Sequence, residues 1–357
     1  PITALDSTIC KYDSTILTSG TPGGLWTPVV SPFVAVINLG GSITSDAKII
    51  GLAMGVETIT YTTPLGCTRT FTVTVDPIEP ISFNTDQLCK GSCDSVWDVV
   101  PGGIWGSSNP AKATITSTGI VCGLDTGVVT ISYLMSTGCL ATLQITVNPI
   151  PDGIEGDTSV CVGLTTTFSD ADTGGVWTSS NPGIASIDST TGVITGVYPG
   201  IAIITYAFPT GCFVTEDIIV HPRAPITITP DDQLCVGDTS YVFDTTTGGV
   251  WSISDSTVAS ISVTGMVIGL TPGTAIISYT TPALCVSILP ITVNPNPSPI
   301  TGKDSVCQGD TIMLSDVDTG GVWTSRFGFT TVGLLDGSVL GGIVGIDSIY
   351  YTFPTGC

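Results

Sequence analysis

The chain has 357 residues, a formal net charge of −21 and only eight lysines and arginines. A nucleic-acid surface needs clustered basic side chains to replace counterions, so this composition excludes nucleic-acid binding and disfavours anionic membrane surfaces. Only 10% of the residues are charged, Gly (43) and Pro (24) are plentiful, and no run of strong helix formers occurs. The chain is therefore predicted to be all-β, with many short strands joined by turns.

A phrase built around tryptophan occurs five times, as GGLWTP, GGIWGSSNP, GGVWTSSNP, GGVWSISDS and GGVWTSRFG. The separations between successive tryptophans are 79, 72, 74 and 72 residues, and a period of this length indicates a tandem array. The predicted repeats are 1–76, 77–148, 149–221, 222–294 and 295–357. We expect the five tryptophans to supply the largest apolar contact of each core: Trp26, Trp105, Trp177, Trp251 and Trp323.

Within one repeat, short alternating segments are separated by Gly or Asn-Pro turns. In the third repeat they run from Val160 to Val220 and number about seven, which predicts a β-sandwich. The linkers between repeats are short and rich in proline, as in Val147 to Pro151, and proline favours extended, semi-rigid joints. Five sandwiches in series predict an extended rod on the order of 150 Å long.

The twelve cysteines indicate an oxidising compartment, because metal-ligand spacing such as C-x-x-C does not occur. Each repeat has one cysteine before and one after its tryptophan, so one disulfide is predicted within each repeat, closing a loop of about 50 residues and contributing about 4 kcal/mol. Repeat 2 has two further cysteines, for which a second disulfide is predicted and an intermolecular crosslink is the alternative. The predicted pairs are Cys10–Cys67, Cys89–Cys139, Cys93–Cys122, Cys161–Cys212, Cys235–Cys285 and Cys307–Cys357.

The phrase W-T-S-S-N-P-x-x-A-x-I-D, followed by T-G-V-I-T-G and I-x-Y at 177–206, resembles the group 2 bacterial immunoglobulin-like domain. The resemblance covers repeats 2, 3 and 4 well. Repeat 1 is looser and repeat 5 departs after Ser325. The resemblance implies tandem immunoglobulin-like sandwiches in extracellular stalks, fibres and adhesins, and it transfers no catalytic residue.

Calcium is the best small-ligand hypothesis for this sequence, and no other cofactor is expected. A D-x-D-x-G turn at Asp170 and Asp172, and again at Asp316 and Asp318, begins like a loop for a hard cation. The alternative is a plain turn ahead of Gly-Gly. The single histidine, His221, lies in a linker position held by Asn148 and Asn294 in sister repeats, so we expect a solvated joint residue rather than a general base.

Asp followed by Ser or Thr and then Thr, Val or Ile recurs along the chain, which is similar to the O-glycosylation signal of Bacteroidota surface proteins. The alternative is that Asp-Ser and Asp-Thr simply start turns. The candidate acceptors are Ser7, Ser14, Ser95, Ser189, Ser305, Thr311 and Ser348.

Repeats 1 to 4 carry a final strand after their second cysteine, and repeat 5 stops at Cys357 without one. The sequence is expected to be a window of a longer repetitive chain; a strand added by a neighbouring subunit is the alternative. The predicted function is structural, in an extracellular fibre that self-associates through apolar surface, with no membrane insertion in this segment. A stalk presenting an adhesive tip to glycans or a host ligand, and a spacer of a secreted enzyme, are the alternatives.

Overall fold

The computed structural model describes residues 1–30, 32–40, 45–223 and 225–357. This part of the chain consists of short β-strands and turns and contains no α-helix. The contacts between residues divide it into two compact units. One unit contains Pro1–Gly153, Asp170–Val176 and Tyr206–Val214, and the other contains Ile154–Ser169, Trp177–Thr205 and Thr215–Cys357.

The first two repeats each contain eight strands. Repeat 1 has β1 (Ile2–Ala4), β2 (Thr8–Cys10), β3 (Ser14–Ser19), β4 (Leu25–Pro28), β5 (Val34–Gly40), β6 (Ser45–Gly51), β7 (Gly55–Thr62) and β8 (Thr68–Asp76). Repeat 2 has β9 (Ser82–Phe83), β10 (Gln87–Cys89), β11 (Cys93–Trp97), β12 (Ile104–Ser107), β13 (Ala113–Ile115), β14 (Ile120–Gly123), β15 (Gly127–Leu134) and β16 (Leu140–Asn148).

The remaining repeats follow the same series with seven, eight and six strands. Repeat 3 has β17 (Ser159–Cys161), β18 (Thr165–Thr167), β19 (Val176–Ser179), β20 (Ala185–Ile187), β21 (Val193–Gly196), β22 (Gly200–Ala207) and β23 (Phe213–His221). Repeat 4 has β24 (Thr227–Thr229), β25 (Gln233–Cys235), β26 (Thr239–Phe243), β27 (Val250–Ile253), β28 (Ala259–Ile261), β29 (Met266–Gly269), β30 (Gly273–Thr280) and β31 (Val286–Asn294). Repeat 5 has β32 (Thr301–Gly302), β33 (Thr311–Ser315), β34 (Val322–Ser325), β35 (Thr330–Val332), β36 (Ser338–Gly341) and β37 (Ile349–Thr352).

The strand order in repeats 1, 2 and 4 is that of an immunoglobulin-like sandwich. With the eight strands lettered A, A′, B, C, D, E, F and G in chain order, one sheet has the order A-B-E-D and the other A′-G-F-C. This division of strands is that of the constant-type immunoglobulin domain. The A′ strand runs parallel to the G strand and all other pairs are antiparallel. The prediction of tandem immunoglobulin-like β-sandwiches is confirmed.

Each core forms where the two sheets face each other. In repeat 2, Val96 and Val121 from the A-B-E-D sheet pack with Ile131 and Ile145 from the other sheet, and none of the four is more than 2% exposed. The strands alternate buried and less buried residues, as in β7, because successive side chains point to opposite faces of a sheet. Burying one such aliphatic side chain stabilises the fold by about 1.5–3 kcal/mol.

The repeated tryptophan lies on strand C and packs on a tyrosine of strand F. The ring centroids are 4.6 Å apart for Trp26 and Tyr61, and 4.4 Å apart for Trp105 and Tyr133. Trp26, Trp177 and Trp323 are at most 5% exposed, while Trp105 and Trp251 are partly buried against their cores. The tryptophan thus occupies the position it has in immunoglobulin domains, with a tyrosine instead of an intra-sandwich disulfide beside it.

The Gly-Gly before each tryptophan makes room for this tyrosine. A Cβ on Gly103 would lie 2.5 Å from Cζ of Tyr133, a distance that real side chains do not tolerate. The Gly103 N–H donates to the tyrosine oxygen at 2.8 Å, and the hydroxyl donates to the Val100 carbonyl at 2.7 Å. Equivalent bonds from glycine to tyrosine occur at Gly24, Gly175, Gly249 and Gly321.

Repeats 3 and 5 differ in detail from the other three. In repeat 3 the A segment makes only an isolated bridge, Glu155 to Ser169, so its first sheet has three strands, β18-β21-β20. In repeat 5 one sheet has the order β32-β33-β36-β35, and the second contains β34 and β37 alone.

Candidate functional site

Two classes of cysteine lie at opposite ends of each sandwich. The A′ cysteines end the A′ strand or its equivalent segment, and the turn cysteines end the turn that follows strand F. The A′ cysteines are Cys10, Cys89, Cys161, Cys235 and Cys307. The turn cysteines are Cys67, Cys139, Cys212, Cys285 and Cys357.

Strand register shows how far apart the two classes are within one repeat. Cys89 lies opposite Asn148, the last residue of β16, whereas Cys139 directly precedes Leu140, the first residue of that strand. Eight steps along a strand span about 27 Å. Because a disulfide needs Cα atoms within about 7 Å, the A′ and turn cysteines of one repeat are too far apart to bond.

The disulfides instead join each repeat to the next one. The A′ cysteine of one repeat bonds to the turn cysteine of the following repeat, with Cα atoms 5.6 or 5.7 Å apart. These bonds are Cys10–Cys139, Cys89–Cys212, Cys161–Cys285 and Cys235–Cys357. They close loops with sequence separations of 129, 123, 124 and 122 residues.

Five of the six predicted disulfides are therefore wrong, for the distance reason just given. The wrong pairings are Cys10–Cys67, Cys89–Cys139, Cys161–Cys212, Cys235–Cys285 and Cys307–Cys357. The structure does contain the predicted Cys93–Cys122 bond within repeat 2. It links directly opposed residues of β11 and β14, with Cα atoms 4.0 Å apart.

A glycine that ends strand E positions each A′ cysteine. A Cβ on Gly196 would lie 2.7 Å from the Cys161 carbonyl oxygen, and one on Gly269 would lie 2.8 Å from that of Cys235. The residue two after the A′ cysteine then donates its N–H to the same glycine, as Gly163 does to Gly196 at 2.8 Å. The sequence shows this glycine, in repeat 3 as the last residue of T-G-V-I-T-G, but nothing in the sequence indicates its contact with the cysteine.

The turn cysteines are held by a tight F–G turn. In repeat 2 the Met135 N–H donates to the Cys139 carbonyl at 2.8 Å and the Gly138 N–H donates to the Met135 carbonyl at 3.0 Å. Gly138 has a φ of 90°, a conformation that glycine adopts without strain. Cys139, Cys212 and Cys285 are each only 1% exposed.

The linkers are also held by hydrogen bonds, which explains the aspartates of the D-x-D-x-G turns. Asp172 accepts from the Asp152 N–H at 3.0 Å, and Asp318 accepts from the Ser298 N–H at 2.6 Å. The hydrogen bonds from the backbone and side chain of Ser298 lower the pKa of Asp318. Both aspartates therefore anchor the segment that leads into their own repeat.

The first aspartate of each calcium candidate closes the turn itself. Asp170 accepts the Asp172 N–H at 2.9 Å and Asp316 accepts the Asp318 N–H at 2.8 Å. Across residues 1–30, 32–40, 45–223 and 225–357, no group of three or more His, Cys, Asp or Glu side chains is placed to hold a metal ion. In both turns the first aspartate is thus an acceptor within its own loop.

The candidate glycosylation acceptors are mostly accessible. Ser7, Ser95, Ser189, Ser305 and Thr311 are exposed. Ser14 and Ser348 are half-buried. O-glycosylation stays a prediction.

His221 ends β23 opposite Cys161, where its carbonyl accepts the Val162 N–H at 3.0 Å.

Within the part of the chain that the structure describes, no helix is long and apolar enough to cross a membrane. No protein-family model matches the sequence, and no curated protein matches it.

Among solved structures, the chain is similar to the bacterial integrin-binding protein invasin, with 13% identity and a TM-score of 0.35 over 98% of this chain and 99% of invasin. It is similar to the eight N-terminal immunoglobulin domains of Down syndrome cell adhesion molecule, with 10% identity and a TM-score of 0.29 over 83% of this chain and 49% of the other. Domains 1–6 of the surface layer protein SbsC match with 15% identity and a TM-score of 0.18, over 96% and 61%. The immunoglobulin-like fold of this chain is established by the strand order within its repeats.

Proposed function

We propose that this chain is a structural segment of an extracellular bacterial fibre, built from immunoglobulin-like repeats of the group 2 type. The observation that carries the proposal is the overlapping set of inter-repeat disulfides. Each of these bonds joins the A′ cysteine of one repeat to the turn cysteine of the next, so neighbouring repeats share a covalent tie besides the peptide linker.

A disulfide within a repeat would stabilise that repeat alone. A disulfide between repeats also fixes the junction, because the A′ end of one repeat cannot separate from the F–G turn of the next. Cys10 of repeat 1 packs against the core of repeat 2, as does Ile78 at the start of repeat 2. A tie of this kind suits a protein that must resist tension, and the proposed role is therefore mechanical and not catalytic.

The number of disulfides supports an oxidising, extracellular location. Ten of the twelve cysteines are bonded, and such bonds are rare in reducing cytosol.

Exposed apolar rows support self-association as part of the same proposal. Ile104, Leu134 and Leu140 lie side by side across β12, β15 and β16, and they are 70%, 43% and 51% exposed. Rows of exposed aliphatic side chains tend to mark protein–protein contacts. We propose that they contribute to lateral contacts between fibres.

The test is immunogold electron microscopy of the producing cells with antibodies raised against the repeats. The cells are kept unreduced and at neutral pH. Label along extracellular fibres is the expected result, and antibody pre-absorbed with the purified chain is the control. Label on single projections that end in an unlabelled tip would favour an adhesive stalk. Label confined to the cell interior would refute the proposal.

A further inference from the structure

Two cysteines in the described part of the chain, Cys67 and Cys307, form no disulfide, and both are exposed. They belong to different classes: Cys67 is the turn cysteine of repeat 1, and Cys307 is the A′ cysteine of repeat 5. Every inter-repeat bond in the structure pairs these same two classes, always from an A′ cysteine to the turn cysteine of the following repeat.

The backbone around Cys67 is already arranged as it is around its bonded sisters. The Thr63 N–H donates to the Cys67 carbonyl and the Gly66 N–H donates to the Thr63 carbonyl, both at 2.9 Å. The difference lies in exposure, since Cys139 is 1% exposed and Cys67 is exposed. Leu65, two residues before Cys67, is 93% exposed, so this turn presents apolar surface next to its thiol.

Cys307 is likewise in place for a bond. The Gly309 N–H donates to the Gly341 carbonyl at 2.8 Å, which is the contact that Gly163 makes with Gly196 beside the bonded Cys161. A Cβ on Gly341 would lie 2.5 Å from the Cys307 carbonyl, so the cysteine is seated against the end of strand E. A cleft of about 680 Å³ beside it is lined by Cys307 and by apolar side chains such as Val306 and Val339.

We propose that Cys67 and Cys307 are complementary covalent attachment sites for further repeats of this type. Cys307 accepts a turn cysteine, and Cys67 accepts an A′ cysteine. The partner repeat belongs either to a second copy of this chain, joined head to tail through Cys307 and Cys67, or to sequence outside the 357 residues. This inference depends on the bond pattern and not on the proposed extracellular fibre.

The bond forms by thiol–disulfide exchange with a small disulfide such as oxidised glutathione. One cysteine thiolate attacks the glutathione disulfide, which gives a mixed disulfide and one glutathione thiolate. The partner cysteine then displaces the second glutathione. Two protons and two electrons leave the protein thiols, and one glutathione disulfide is reduced to two thiols.

The first test is disulfide mapping by mass spectrometry on material from the source organism, alkylated before digestion without reductant. We expect the Cys307 peptide to be linked to a turn-cysteine peptide. Linkage to the Cys67 peptide indicates a second copy, whereas linkage to a peptide absent from the 357 residues indicates a longer array. Recovery of both cysteines in alkylated form, or as glutathione adducts only, would overturn the proposal. This outcome is independent of the immunogold result that tests the proposed fibre.

The second test uses the purified 357-residue chain in a glutathione redox buffer. The Cys67→Ser and Cys307→Ser variants should each remain monomeric, and mixing them should restore a reductant-sensitive dimer linked through the two remaining thiols. The chain with both substitutions controls for exchange with the internal disulfides. Homodimers of either single variant formed as readily as the mixed dimer, or no dimer in the mixture, would contradict the complementary pairing.

Discussion

At the F–G turn of repeat 4, Leu284 occupies the place that glycine holds in the other four turns, and its φ is 63°. This left-handed conformation costs a residue with a Cβ about 1–2 kcal/mol, and Leu284 is 79% exposed, so little packing offsets the cost. We predict that Leu284→Gly stabilises this turn by about 0.5–1 kcal/mol after the entropy cost of glycine.

Hydrogen exchange at the Thr281 amide, which donates to the Cys285 carbonyl at 2.9 Å, measures the effect. Exchange should slow in Leu284→Gly. The reverse change, Gly211→Leu in repeat 3, should speed exchange at Phe208, whose amide makes the equivalent bond. Faster exchange in Leu284→Gly would show that the leucine makes a favourable contact we have not identified.

The tyrosine of strand F is the second residue on which each repeat depends. In Tyr133→Phe the Gly103 N–H and the Val100 carbonyl lose a shared partner. Both residues are half-buried, so water replaces part of what is lost and the cost lies at the lower end of the range for an unsatisfied buried group. We predict a local loss of stability in repeat 2 of about 1 kcal/mol, seen as faster hydrogen exchange at Gly103. Tyr198→Phe is the control, because Tyr198 is 68% exposed, and it should leave repeat 2 unchanged.

The turn between β20 and β21 is held by one carboxylate. Asp188 accepts from the backbone N–H and the hydroxyl of both Thr190 and Thr191, at 2.8–3.0 Å. The backbone N–H of Thr191, followed by the hydroxyl of Thr190, holds the pKa of Asp188 well below its usual range. Because the folded pKa is depressed, this contribution is complete above the unfolded value near 3.9 and is lost as the pH falls through the folded pKa.

We therefore predict that the Asp188 carboxyl titrates below pH 3.9, and that the Thr191 amide stays protected until that titration. A carboxyl chemical-shift titration by nuclear magnetic resonance measures the midpoint, and hydrogen exchange at the Thr191 amide over the same pH range measures the protection. In Asp188→Asn the Thr191 amide should lose this pH dependence. A midpoint at or above the ordinary aspartate value would rule out the turn as described.

Sequence periodicity predicted the strands and the tryptophan cores because these depend on contacts that recur within each repeat. The alternation in β7 and the position of Trp26 on strand C follow directly from local pattern. The sequence shows Gly-Gly before each tryptophan, but only the structure shows that the second glycine makes room for the facing tyrosine. Nothing in the spacing of the motif could distinguish the two rings, since both lie in the same core.

The disulfides could not be predicted because a period of about 72 residues looks the same for bonds within a repeat and bonds to the next repeat. The deciding fact is that the A′ strand runs parallel to strand G, as Cys89 opposite Asn148 shows. Parallel pairing of two segments about 60 residues apart leaves no local signature. It places the A′ cysteine at the end of the sandwich from which the chain leaves, next to the following repeat.

At the scale of the whole molecule, the disulfides limit how far the chain can be stretched. When the two ends are pulled, the limit is the shortest covalent path between them. That path uses the disulfides Cys10–Cys139, Cys93–Cys122, Cys89–Cys212 and Cys235–Cys357. At about 3.5 Å per residue, this path allows about 200 Å, against about 1,250 Å for the reduced chain and about 370 Å had the cysteines bonded within repeats.

In single-molecule force spectroscopy with the force applied at residues 1 and 357, the extension of the chain should therefore reach its limit near the shortest of these three lengths. Adding reductant should release this limit. Two double variants make the measurement specific to the bond pattern. Removing Cys161–Cys285, which lies off the shortest path, should leave the limit at about 200 Å, whereas removing Cys235–Cys357 should raise it to about 370 Å. An increase in the first variant would indicate bonds within repeats, because every repeat would then contribute to the path. Equal limits in the oxidised and reduced chains would mean that the disulfides carry no tension, and the mechanical role proposed for this chain would fail with them.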